Sequence, residues 1–123
     1  LYSSAASDVY KREPMLWLGG AIAEPKVIDT YANQTDLAAT LLNQMGLPTD
    51  EFSFSKDILN PCVPHYAFYT FNNGFGFIDE SGVSVYDNEG NKILVEEPES
   101  GNETRLEKGK VLLQTLYDDL GNR

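Results

Sequence analysis

The sequence predicts an α/β protein, or an α+β one if this piece is taken alone: the edge of a parallel sheet with a helix, then a four-stranded antiparallel meander covered by a C-terminal helix. Three observations lead there. Met15-Leu16-Trp17-Leu18 is an unbroken apolar run between Pro14 and Gly19-Gly20, the pattern of a strand buried on both faces. Leu37, Leu41 and Met45 recur at a spacing of four, with Ala38 and Leu42 beside them, and draw one apolar stripe along a helix. From Tyr66 onward the period changes to two, in short runs rich in aromatic and β-branched residues. The chain therefore divides into an α/β part over residues 1–60 and an antiparallel part with a terminal helix over residues 61–123.

Taken in order, the polar stretch Ser3-Ser4-Ala5-Ala6-Ser7-Asp8 has no strand pattern, and residues 14–18 form the first predicted strand. Such a strand needs covered faces and paired edges, and the segment before it offers neither. A short extended stretch follows around Val27-Ile28. The helix comes next, with Asn33 or Thr35 as its cap, Asp36 at the positive end of its dipole and Gly46 at its stop. Strand, turn and helix in that order are half of a βαβ unit. Residues 47–65 read as connection, with Phe52 and Phe54 as anchors and Lys56-Asp57-Ile58-Leu59 as a short tight piece.

Four strands are expected at Tyr66–Phe71, Phe75–Asp79, Val83–Asp87 and Ile93–Glu97. Asn72-Asn73-Gly74, Glu80-Ser81-Gly82 and Asn88-Glu89-Gly90 separate them, each ending in the glycine that suits a tight hairpin turn. Glu96, Glu97, Glu99 and Glu103 mark an acidic, solvated loop. The last helix opens on the capping-box spacing Thr104-Arg105-Leu106-Glu107 and would cover the meander with Leu106, Leu113, Leu116, Tyr117 and Leu120. Only this second half is expected to close a core of its own.

The totals exclude several classes of function. The 123 residues make one domain by length, and a chain of that size buries roughly two-thirds of the surface it exposes when unfolded. A hydrophobic content of 41% with 23% charged residues is that of a globular protein. Nine Lys and Arg against nineteen Asp and Glu leave a net charge of −10, which repels nucleic-acid phosphates and anionic lipid. No apolar stretch approaches the roughly 20 residues of a membrane span, and residues 1–20 lack a signal-peptide pattern, so any export or anchoring signal is expected outside this chain. Leu1 as first residue points the same way. The single cysteine, Cys62, excludes an internal disulfide.

Several short constellations invite chemical readings. Cys62-Val63-Pro64-His65-Tyr66 shares Cys62 and Pro64 with the C-x-P-x-R motif whose cysteine sulfatases convert to formylglycine, but Tyr66 stands where arginine is needed. Cys62 thus reads as a loop cysteine that packs or is idle. His65 is the sole histidine, so a Ser-His-Asp triad would rest wholly on it; its place before a strand, next to Pro64, predicts a surface side chain. Neither Gly19-Gly20 nor Gly74-Phe75-Gly76 continues into a phosphate loop. Asp87-Asn88-Glu89-Gly90-Asn91 resembles the start of a calcium loop, yet its twelfth position is Pro98, and it reads as a hairpin turn. Asn33-Gln34-Thr35 and Asn102-Glu103-Thr104 are glycosylation triplets by spelling. Tyr66, Phe68, Tyr69 and Phe71 could form a binding face, although a core beneath the last helix is the expected use.

Four stretches carry a resemblance that covers nearly the whole chain: Pro14 through Ala21, Gln34-Thr35-Asp36-Leu37-Ala38-Ala39-Thr40-Leu41-Leu42, Gly46-Leu47, and Phe54-Ser55-Lys56-Asp57-Ile58-Leu59. Tyr66 to Phe77 and the terminal Leu-Tyr-Asp-Asp-Leu helix continue it. Together they resemble the C-terminal part of the alkaline phosphatase superfamily, in the sulfatase and phosphoglycerol-transferase branch that includes lipoteichoic acid synthase-like enzymes of the bacterial envelope. The resemblance implies that residues 14–18 belong to a large central sheet. It also implies metal-assisted phosphoryl or sulfuryl ester chemistry in the intact enzyme, on the extracytoplasmic face of the inner membrane, with a divalent ion activating the nucleophile and stabilising the transferred group. The nucleophile and an Asp-His-Gly metal motif would precede Leu1. No residue here matches a nucleophile or metal-ligand position of that family, so this chain is expected to supply no catalytic, cofactor-binding or metal-binding residue and to be inactive alone. Its expected partner is the N-terminal part of its own catalytic domain, with no nucleic acid and no direct membrane contact by this segment. A free-standing protein-interaction module, and a small enzyme acting through Cys62 and His65, are the rival readings.

Overall fold

The computed structural model describes residues 14–19, 24–98 and 103–123. Its elements are α1 (Asp36–Gln44), β1 (Tyr66–Phe71), β2 (Gly74–Asp79), β3 (Gly82–Asp87), β4 (Lys92–Glu97) and α2 (Glu103–Asn122). The strands form one four-stranded antiparallel sheet in the order β1-β2-β3-β4, an α+β arrangement with one helix before the sheet and one after it. In-register pairing of Phe68 with Phe77 and of Phe75 with Tyr86 places aromatic rings side by side on one face. Between β3 and β4 the register slips: Tyr86 pairs with Ile93 and Val85 with Val95, so Leu94 is the extra residue of a bulge.

Helix α2 crosses the aromatic face, packing against β2 and β3. Phe75, Phe77 and Tyr86 are buried there. Tyr66 stacks on Phe77 at 5.2 Å, and Phe75 lies 5.8 Å from both Phe68 and Tyr86, within the range in which aromatic pairs attract beyond their burial. Each fully buried phenylalanine contributes about 1.5–3 kcal/mol. The close approach of helix and sheet depends on Gly109, where a Cβ would stand only 2.1 Å from Phe75 Cε2. On the opposite face the rings of Tyr69 and Phe71 lie over Gly76 and Gly74.

Arg105 joins α2 to the sheet and is fully buried. Its Nε donates to Ser84 Oγ at 2.7 Å, Nη1 to Ser81 Oγ at 3.0 Å, and Nη2 to the Glu96 carboxylate and to the Glu97 carbonyl, the last at 3.2 Å. A guanidinium can be withdrawn from water only when its fork of donors is met in this way.

Four expectations change. Residues 14–18 pair with no strand among the described residues, because the only sheet there is the meander and no parallel neighbour is present to complete a ladder; Leu16 remains 78% exposed. Helix α1 does not bury its leucine stripe; Asp36, Ala39 and Thr40 face inward instead. Helix α2 starts at Glu103, so Thr104 lies within its first turn, and its inward stripe runs through Arg105 and Gly109 while Tyr117 and Leu120 stay exposed. Glu96, expected in a solvated loop, is drawn against the sheet by Arg105. Glu99 and Asn102 lie outside the described residues.

Candidate functional site

Among the described residues, the most heavily bonded constellation lies between α1 and residues 55–58. Asp36, 1% exposed, accepts the Lys56 amide on Oδ1 at 2.9 Å and the Lys56 ammonium on both oxygens, at 2.9 and 2.7 Å. Its Oδ2 also accepts the Asn33 amide at 2.8 Å, which closes the start of the helix. Thr35 stands at the cap position without a side-chain capping bond. Thr40 Oγ1 accepts the Ile58 amide at 3.1 Å and lies within donating distance of the Asp36 carbonyl, at 2.6 Å, and of the Lys56 carbonyl, at 3.2 Å. Ser55 Oγ donates to the Thr35 carbonyl at 2.6 Å and accepts the Ala39 amide at 2.8 Å. Asn43 adds a bond to Asp57 at 3.1 Å. Gly46 ends the helix with φ of +68°, and the Leu47 amide returns to the Leu42 carbonyl at 2.9 Å.

Two bridges tie this latch to the sheet. The Lys56 ammonium sits 3.9 Å from the centroid of the Tyr66 ring, a cation–π contact. Asn33 Oδ1 accepts the Phe68 amide of edge strand β1 at 2.7 Å, so the asparagine of the first glycosylation triplet is used internally. Burial and then the negative charge of Asp36 raise the pKa of the Tyr66 phenol above its ordinary value. The Asp36 carboxylate, the Thr40 and Ser55 hydroxyls and the Lys56 ammonium are all bonded within the chain, and Asp36 and Thr40 are closed to solvent, which suits structural cohesion rather than contact with a substrate.

The residues singled out for chemistry are not brought into a working set. Cys62 is exposed, and its amide donates to Asn60 Oδ1 at 2.9 Å. His65 is half-buried rather than superficial, with a shielded Nε2 that meets no hydrogen-bond partner among the described residues. No hydrogen bond joins Cys62 to His65 there. Asp87 spends Oδ1 on the amides of Glu89 and Gly90, at 3.0 and 3.2 Å, as a hairpin turn requires. For Asp79, burial acts to raise the pKa, but the Ser81 hydroxyl and amide, with the charges of Lys108 and Arg105, outweigh it and leave the carboxyl below its usual range. Among the described residues no group of three or more His, Cys, Asp or Glu side chains could hold a metal ion. Asp36, Asp79 and Asp87 are bonded instead to Lys56, to Ser81 and within the turn.

What the first half does present is apolar surface. With the polar side of α1 turned to the latch, Leu37, Leu41 and Met45 are left outside, Leu41 at 46% and Met45 at 62% exposure. Met15, Leu16, Leu18, Val27 and Leu47 are exposed as well. Phe54 is half-buried against the chain, whereas Phe52 is not covered. Among the described residues no helix is long and apolar enough to cross a membrane. The leucine stripe is visible in the sequence but the latch and Arg105 are not, since charged and hydroxyl residues on an inward helix face leave no mark in apolar periodicity. Compared with protein-family models, curated proteins and solved structures, the chain matches none.

Proposed function

We propose that this chain is the non-catalytic C-terminal scaffold of a metal-dependent sulfatase-like hydrolase or phosphoglycerol transferase, acting on sulfate or phosphate esters at the extracytoplasmic face of a bacterial inner membrane. The observation that carries the reading is the inverted packing of α1, which satisfies its polar side within the chain and leaves Leu37, Leu41 and Met45 as a clean apolar stripe. Contiguous apolar surface of this kind marks an interaction site. The covering partner is the preceding part of the same catalytic domain, whose central sheet would take Met15-Leu16-Trp17-Leu18 as a strand and α1 as a covering helix. The residues that grip metal and nucleophile belong to that partner. Latch and meander then hold the border of the catalytic sheet and shape the ground beside its cleft.

The test is the reading frame upstream of Leu1, followed by co-expression of its product with this chain. An Asp-His-Gly run, a Thr or Cys nucleophile motif further up, and a stable complex that cleaves a phosphate or sulfate ester support the proposal. A start codon at Leu1 overturns it. A free-standing interaction module then takes its place, using the half-exposed sheet face of Val83 and Val85 and the exposed Val95.

A further inference from the structure

At the end of the sheet opposite the turn at residues 80–81, the β1-β2 and β3-β4 turns lean on each other. The Asn88 amide donates to the Asn73 carbonyl at 2.7 Å, and Asn73 Nδ2 donates to the Glu89 carboxylate. The paired turns form one wall of a groove, and Lys110, Leu113, Gln114 and Tyr117 of α2 form the other. Two depressions of about 390 and 450 Å³ make up the groove, and both are lined by Asn88 and Tyr117. The groove stands on packed elements: Tyr86, at its floor, is buried and donates its hydroxyl to Asn91 Oδ1, while Lys110 Nζ rests 4.4 Å above the Tyr86 ring.

We propose that this groove binds a neutral carbohydrate. Its chemistry is that of amides beside an open aromatic ring. An asparagine side chain not bonded within the chain offers both donor and acceptor, the pairing that a sugar hydroxyl, itself both donor and acceptor, can satisfy; Asn73, Asn91 and Gln114 already spend one function each on Glu89, Tyr86 and Asp118. The side-chain amides of Asn72 and Asn88 make no hydrogen bond among the described residues, so they meet a ligand unencumbered. Tyr117, 63% exposed where the two depressions join, presents a flat ring on which the C–H face of a pyranose can stack. Charge argues against an ionic ligand. Among the described lining residues, the ammonium of Lys110 is held on Tyr86 and the carboxylate of Glu89 is bonded to Asn73, so the two signs balance across the groove. A shallow, wet site of this kind binds at about the millimolar level.

This site is independent of the assembly proposed above, since its test uses the whole chain by itself and reads no ester cleavage. The ¹⁵N-labelled protein is titrated with maltose, cellobiose and lactose, and separately with inorganic phosphate, while backbone and side-chain amide signals are followed by NMR. The expected result is saturable shifts with at least one sugar, confined to the Asn72 and Asn88 side chains and to residues 72–73, 88–91 and 110–117. Tyr117→Ala should weaken that binding by about tenfold or more, whereas Tyr117→Phe should keep it, with the melting temperature of both variants close to that of the parent. Absence of saturable shifts with all three sugars, equal response to phosphate, or full binding by Tyr117→Ala overturns the proposal.

Discussion

Among the described residues, the interior beneath α2 and the one between α1 and residues 55–58 are built on opposite principles. Beneath α2 the interior is aromatic, with Phe75, Phe77 and Tyr86 buried around a single guanidinium, Arg105. Between α1 and residues 55–58 it is polar, made of Asp36, Thr40, Ser55 and Lys56 with almost no apolar burial. Aromatic burial supplies free energy without direction, whereas a hydrogen-bonded ion pair supplies direction with little net free energy, because desolvation offsets most of its attraction. The contrast teaches that the second half can stand on its own packing. The first half is held in one geometry by its polar contacts while Leu37, Leu41 and Met45 stay exposed.

Experiments that try to break this contrast begin with Arg105→Ala. It strands the Glu96 carboxylate and the hydroxyls of Ser81 and Ser84, and should lower the free energy of unfolding by about 3–5 kcal/mol in urea titration. Asp36→Ala leaves the Lys56 ammonium without its carboxylate, at a cost of roughly 3 kcal/mol, but the loss should be local. Hydrogen exchange is the sharper probe: α1 amides should exchange faster while β2 and β3 amides stay protected. Equal loss of protection in both regions would merge the two interiors into a single cooperative unit.

Gly109→Ala drives a methyl group into the Phe75 ring and should cost about 1–3 kcal/mol, read as a lowered melting temperature. Leu41→Glu lies on the exposed stripe and should change stability by less than about 0.5 kcal/mol, yet on the proposed function it should abolish pull-down of the proposed N-terminal partner. The smallest effect is confined to alkaline pH. Because the folded-state pKa of Tyr66 is raised, its contribution is fully present below the ordinary value of 10.0 and is lost as pH rises through the higher folded value. Tyr66→Phe should therefore hold its melting temperature further into alkali than the parent does.

The meander was legible almost residue by residue. Its strands alternate in period two, and each hairpin carries its glycine, so the expected runs from Tyr66 to Glu97 coincide with β1 to β4 to within a residue. The existence of both helices was legible too, but not their orientation. Apolar periodicity assigns the inward face to leucines, and α1 turns inward through Asp36, Ala39 and Thr40 because their partners, Ser55 and Lys56, lie sixteen to twenty residues along the chain. A long-range polar pairing of that sort has no periodic signature. The same limit hid Arg105, whose four acceptors come from β3, β4 and the turn between β2 and β3. Residues 14–18 failed differently: their pattern describes a strand correctly only where a neighbouring strand exists.

The Asn33 side chain, bonded to the Phe68 amide, has a consequence for the behaviour of the protein in concentrated solution. An open border strand is a template on which further chains can add, and β1 and β4 are the two borders of this sheet. At β1 a single carbonyl oxygen occupies a donor that an incoming strand would need, and at β4 the bulge at Leu94 spoils the spacing of any ladder beyond it. The two margins thus differ, one with an amide already taken by a side chain and the other with an irregular ladder. Asn33→Ala would remove one of the two bridges between latch and sheet and free the Phe68 amide on that margin, so the variant should self-associate more readily than the parent in sedimentation at high concentration.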